Sequence, residues 1–196
     1  MNLSLFRPRA ARHLAPILLV VALATPTFAL QPAPPVVPFA ATGTVQYAFT
    51  PDDRADDMIV AAIAGARAQV LVQAFSFTHR RIAEALIRAR GRGVDVSVIA
   101  DYEQTYQIEA GVIRDIAEAG VPVLLDAQHA SAHNKIMVID GGRADCAVIS
   151  GSYNFTHAAQ FRNAENVVML RGNPPLCEAF RRNWDQHKAH SSPYER

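Results

Sequence analysis

Lysine is nearly missing from this chain: there are two, Lys135 and Lys188, against 17 arginines. Where arginine serves almost everywhere else, an ammonium at 135 marks a compact point charge in place of a planar fork. A basic excess is lacking too. The whole chain carries +1, and without residues 1–29, which hold three arginines and no acid, 16 basic residues face 18 acidic ones for a net charge of −2. That excludes a broad cationic footprint, so a bound phosphate must be drawn by a local patch, with Lys135, Arg162 and Arg143 as candidates. The apolar stretch at residues 14–24, interrupted by Pro16 and followed by Pro26, falls short of the ~20 residues of a membrane span. No cysteine lies near residue 29, which argues against a lipoprotein signal. No internal repeat is present, so each motif occurs once.

What is there begins with an export pattern. Arg7, Arg9 and Arg12 precede the apolar stretch, and Thr27-Phe28-Ala29 ends in a small residue suited to cleavage. A signal peptide over residues 1–29 is expected, which makes the mature protein periplasmic or secreted. Residues 30–43 hold Pro32, Pro34, Pro35 and Pro38 and read as an extended tether. The remainder, residues 44–190, is long enough for one well-buried domain. In an oxidising compartment Cys146 and Cys177 could be bridged, and two buried thiols are equally compatible with the sequence.

Within the domain, apolar runs with period two alternate with stretches of helical spacing. Residues 45–49 read as a strand, and Thr50-Pro51 as the cap and first position of a helix. Asp53, Asp56 and Asp57 then read as exposed acids complementing that helix's dipole. Strands are expected at residues 69–75, 94–100, 121–126, 135–139, 147–150 and 166–170. Helices are expected at 79–90, 105–119, 156–161 and 175–188. This alternation predicts an α/β domain whose mixed central β-sheet is flanked by helices on both faces. Strand ends are where such folds place their chemistry.

The run His133-Asn134-Lys135-Ile136-Met137-Val138-Ile139-Asp140 is such a place. Side chains two apart on a strand share a face, so His133 and Lys135 emerge together, nucleophile beside cation. Ser152 and Asn154, in Gly151-Ser152-Tyr153-Asn154-Phe155-Thr156, repeat the spacing after a second apolar run. With Asn163-Ala164-Glu165-Asn166 following, the three submotifs in this order resemble the phospholipase D superfamily and its HKD signature. Within it, the chain looks like the small bacterial endonucleases that carry one such motif per chain. The Asp140-to-Gly151 interval is longer than the family pattern, and residues 141–146 read as a lengthened hairpin turn.

The resemblance implies a phospholipase D-like fold and a phosphodiesterase needing no metal or other cofactor. His133 would attack phosphorus, Lys135, Asn154 and Ser152 would hold the phosphate, Glu165 would orient the imidazole, and Asp140 would support the signature from its turn. One imidazole cannot be free base and acid at the same instant. A homodimer with its active site at the interface is therefore expected. Nucleic acid is the expected substrate and partner, phospholipid the alternative, and a catalytically silent binding module a third reading.

Other candidates read as structural. His129 and His133 are four apart and near Asp126, but Ala130 stands where a zinc protease needs Glu, and the context is a loop. No metal site is expected there. His157 reads as a surface residue, and Phe75 and Phe77 as core and strand edge, not as a base-stacking platform.

Overall fold

The computed structural model describes residues 36, 38, 40, 42–108 and 111–195; the expected signal at 1–29 and most of the 30–43 tether lie outside them. Eight strands form one sheet: β1 (Thr44–Thr50), β2 (Gln69–Ala74), β3 (Asp95–Asp101), β4 (Val123–Asp126), β5 (Lys135–Ile139), β6 (Ala147–Gly151), β7 (Glu165–Arg171) and β8 (Ser192–Pro193). Their order is β1-β7-β6-β5-β2-β3-β4-β8. β2, β3 and β4 are parallel, joined through α2 (Arg80–Gly91) and the pair α3 (Tyr102–Gln107) and α4 (Ile113–Glu118); every other pairing is antiparallel. The remaining helices are α1 (Ala55–Ala64), α5 (His157–Phe161) and α6 (Pro174–His190).

Side-chain alternation explains how both sheet faces are covered. Val70, Val72, Val96, Val98, Met137 and Ile149 join one core with Ile59 and Ile63 of α1, Ile82 and Leu86 of α2 and Ile116 of α4. The opposite face sends Leu71, Ile99, Ile136 and Val138 against Trp184 of α6. That indole donates Nε1–H to Val72 O at 3.0 Å, so its burial leaves no polar atom unpaired. The mixed sheet between two helical layers is the expected architecture.

Several local expectations change. The first helix begins at Ala55, not at Pro51. Thr50 cannot cap it, because its hydroxyl donates to Asn163 O and accepts from Glu165 N. Asp56 is not an exposed acid but a fully buried one, ion-paired with Arg54 and Arg81. The helix expected over 105–119 is two helices. Asp101 caps the first by accepting from Gln104 N at 2.8 Å, and Val112 N is held by Phe77 O at the start of the second. Cys146 and Cys177 are bridged, with Cα atoms 6.5 Å apart, and the bond pins α6 to the start of β6.

Pairing direction collects the site. β5 is antiparallel to β2, so it begins at the edge where β2, β3 and β4 end. β6 returns to that edge, and β7 leaves from it. Phe75, Asp101, Asp126, Lys135, Ser152 and Glu165 therefore all stand along one edge of the sheet.

Candidate active site

Lys135 lies opposite Ala74 in the sheet register, at the first position of β5. Its side chain is 7% exposed, and its Nζ donates to the His133 carbonyl oxygen at 2.7 Å. The ammonium sits 4.8 Å from the centre of the Phe75 ring, a cation–π contact. The same ring packs on the His133 imidazole, centroid to centroid 4.4 Å. Phe75 therefore seats both members of the pair, a role that sequence reasoning missed. Its only sequence signal is a position just past a strand end. Burial pushes the Lys135 ammonium down to about 8, with the nearby Glu165 charge acting in the opposite direction. The cation is thus held at low hydration, where an approaching anion gains most from it.

Across β5 and β6, Ser152 donates its Oγ–H to Glu165 Oε2 at 2.6 Å and accepts from Asn166 N at 3.0 Å. Glu165 Oε1 accepts from Asn163 Nδ2 at 3.0 Å. The expected bond from Glu165 to His133 is not made among the described residues, where the two carboxylate oxygens accept from Ser152 and Asn163. Asn154 has a buried Oδ1 with no hydrogen-bond partner among the described residues. An amide so placed has capacity for a ligand. Neither Ser152 nor Asn154 caps α5; Thr156 does, accepting from Ala159 N.

Gly151 is required by close approach. A Cβ there would meet Asn166 O at 2.3 Å and Val167 Cα at 2.9 Å. That same carbonyl accepts from Ser152 N and Tyr153 N, so the glycine lets β7 press the Ser152 turn into place.

Two sequence candidates are displaced from the site. Asp140, grouped with the catalytic residues by its motif, stands five residues along from Lys135, about 16 Å at strand rise. Its carboxylate accepts from Arg67 N, Ala68 N and Gln69 N, and it adopts φ 53°. It is a backbone clamp and takes no part at the phosphate end. Arg143 lies in the same distant turn, paired with Asp145 at 3.0 Å, and is no part of a phosphate patch. Arg162 is exposed after α5, without an ion pair among the described residues, and keeps its candidacy. His157 packs at a tilt on Phe161 at the surface and Phe77 is core, as expected.

His133 does not join His129 and Asp126 in a cluster of ligand-type side chains. Asp126 and His129 do come together, but their companions are His187 and His190 of α6, not His133. A His-x-x-His pair near the end of a helix was the available signal. Among the described residues, no helix is long and apolar enough to cross a membrane.

The chain is similar to known proteins over most of its length. Residues 59–188 match the family model described as cardiolipin synthase, PLD-like domain. A phospholipase D of Rickettsia typhi is 33% identical over 80% of this chain and 74% of its own length. The crystal structure of Nuc, a phospholipase D family member from Salmonella typhimurium, superposes with a TM-score of 0.73 at 30% identity, covering 79% of this chain and all of Nuc. NucT from Helicobacter pylori shares the fold, with a TM-score of 0.70 at 21% identity over 78% of this chain and all of NucT.

Proposed function

Because this chain belongs to the phospholipase D superfamily and is a phosphodiesterase, we propose that it is a nonspecific endonuclease, cleaving DNA or RNA as a homodimer. The observation that carries this choice of substrate is the make-up of the exposed surface. Its exposed large apolar side chains are aromatic or valine, and no leucine, isoleucine or methionine is among them in the described residues. Two of them, Tyr102 and Tyr106, stand beyond β3 on the same edge as Lys135, 44% and 54% exposed. Tyrosine rings suit stacking on bases while their hydroxyls stay in water. The likeness to Nuc over its whole length supports the same reading. The rickettsial relative's name favours phospholipid as the second reading.

In the first step the His133 lone pair attacks phosphorus, a P–N bond forms, and the P–O bond to the leaving sugar breaks. The departing oxygen takes a proton from the partner's His133. Water then attacks phosphorus, gives its proton to that same imidazole, and the P–N bond breaks to restore His133. Lys135 and Asn154 neutralise and bind the nonbridging oxygens, the part that a metal plays in other nucleases. The row Val45, Tyr47 and Phe49 on edge strand β1 is exposed and ends at Thr50, which binds Glu165 N. A two-fold partner covering that row would stand beside the site. Since Glu165 is engaged within its own chain, the dimer also gives His133 a place to find its second hydrogen bond.

The test is hydrolysis of plasmid DNA against phosphatidylcholine vesicles, with chelator present in the assay and without added metal. Nicking of DNA under chelator is expected, with His133→Ala slower by roughly 10³-fold or more while the dimer persists. Vesicle hydrolysis without nicking would establish the lipid reading, and wild-type rates in His133→Ala would remove this residue from the mechanism. Export to the periplasm or beyond goes with the same proposal and is supported by the Cys146–Cys177 bond.

A further inference from the structure

Away from His133 and Lys135, four ligand-type side chains converge at the end of β4. The Asp126 side chain is fully buried, and its Oδ2 lies 2.7 Å from His187 Nδ1, 3.0 Å from His129 Nδ1 and 3.2 Å from His190 Nε2. One ligand atom from each of the four residues falls within 4.8 Å of every other. They come as two pairs spaced three apart, Asp126 with His129 and His187 with His190. A helix places such a pair on one face, so α6 delivers its two imidazoles together. Asp126 and His187 are 61 residues apart, so only the docking of α6 on the sheet unites the two pairs.

Hydrogen bonding alone is a poor account of this arrangement. A carboxylate oxygen offers about two lone-pair sites, and here three imidazole nitrogens address Oδ2, while Oδ1, 3.2 Å from His129 Nδ1, already accepts from Gln128 N. Protonating the rings does not help, because the three centroids lie 4.9 to 5.3 Å apart and cations would crowd. A cation among them uses every nitrogen lone pair and the carboxylate at once. Three imidazole nitrogens and one carboxylate oxygen form a donor set that suits tetrahedral Zn²⁺, at bond lengths of about 2.0–2.2 Å. Ligand atoms in such a shell stand ~3.4 Å apart, so the imidazole nitrogens, now up to 4.8 Å apart, would draw together while the Asp126 oxygen, 2.7 to 3.2 Å from them, would back off slightly. Asp126 Oδ1 is held in turn by Gln128 N at 3.0 Å, the supporting bond expected behind a ligating carboxylate. The His129 side chain is 45% exposed, which leaves a way in.

We propose that Asp126, His129, His187 and His190 form a structural site for a divalent cation of the zinc class. The cation ties the last turns of α6 to the segment at residues 127–132, which leads directly into His133. Protein ligands fill all four positions, leaving none for a substrate. Three interstrand steps separate β4 from β5, about 14 Å, so this cation stands apart from the phosphate chemistry. Its service is to hold the His133 segment, together with the Ala132 N to Asp101 carboxylate bond at 2.8 Å.

The test uses the full chain purified without a polyhistidine tag, stripped by dialysis and titrated with Zn²⁺ and, separately, Co²⁺. Expected are one bound equivalent per chain by elemental analysis, the intense visible bands of tetrahedral Co²⁺, and a rise of several degrees in melting temperature with Zn²⁺. His187→Ala and His190→Gln should each lose the bound equivalent and the temperature rise, and His133→Ala should keep both. A wild-type chain that takes up no stoichiometric cation overturns the proposal. So does undiminished binding in both α6 variants, or loss of binding in His133→Ala. Should an α6 variant fail to fold, wild-type stoichiometry and the Co²⁺ spectrum still decide. None of these readouts is turnover, so this inference and the endonuclease reading fail separately.

Discussion

Lys135 sits where two demands conflict, since it must stay charged to bind phosphate and must be buried to bind it strongly. The balance sets a pH limit. Its ammonium titrates at about 8 in the fold against 10.5 for an ordinary lysine, so charge is lost as pH rises through 8. The kcat/KM for phosphodiester cleavage should therefore decline on an alkaline limb with a midpoint near 8. A flat profile up to pH 10 would show that no phosphate-binding ammonium at Lys135 is lowered by burial into this range. For stability the sign is reversed: a depressed folded pKa means that the buried cation costs stability below pH 8, and the cost is relieved between 8 and 10.5. At this scale the sequence was most legible. The placing of His133 and Lys135 at the start of β5, and of Ser152 and Asn154 just past β6, was readable because each pair flanks an apolar run, which is local information. Phe75 and the Glu165–Ser152 bond were not, because each depends on which strands pair.

The elements were readable wherever one period dominated. β5 begins and ends where its apolar run does, at Lys135 and Ile139. Failures came where a side chain preferred a distant partner to its own helix. Thr50 has the chemistry of a cap and spends it on Asn163 and Glu165. Cys146 shows the opposite case, an unremarkable position in the sequence that the fold places beside α6. The approach of β7 to β6 at Gly151 predicts a sharp dependence on one atom. Gly151→Ala must push Asn166 O away from Ser152 N and Tyr153 N. A loss of roughly 2 kcal/mol or more is expected from backbone contacts that cannot relax locally. Denaturant titration together with turnover would check this, since the displaced Ser152 turn should lower activity even in molecules that remain folded. An alanine variant matching wild type in both would refute the packing argument.

At the scale of the molecule, the bridge between Cys146 and Cys177 closes a loop with a separation of 31 residues. In the chain-entropy account, a loop of that length stabilises the fold by about 3–4 kcal/mol. Replacing both cysteines by serine should lower the unfolding free energy by an amount of that order, while turnover per folded molecule is retained. A doubly substituted chain with unchanged stability would mean that α6 is already held by Trp184 and its neighbours. The mixed sheet between helices could be anticipated because alternation of strand and helix is written in hydrophobic period. The strand order could not, and strand order is what gathers Asp126, Lys135, Ser152 and Glu165 on one side.

The clamp that Asp140 makes on Arg67 N, Ala68 N and Gln69 N has an implication for how this protein can be altered. It anchors the lengthened 141–146 turn at the pole of the sheet opposite the reacting groups. Residues added there face solvent behind a fixed anchor, so a reporter or an affinity handle inserted at Gly142 would ride on the molecule without disturbing what it does.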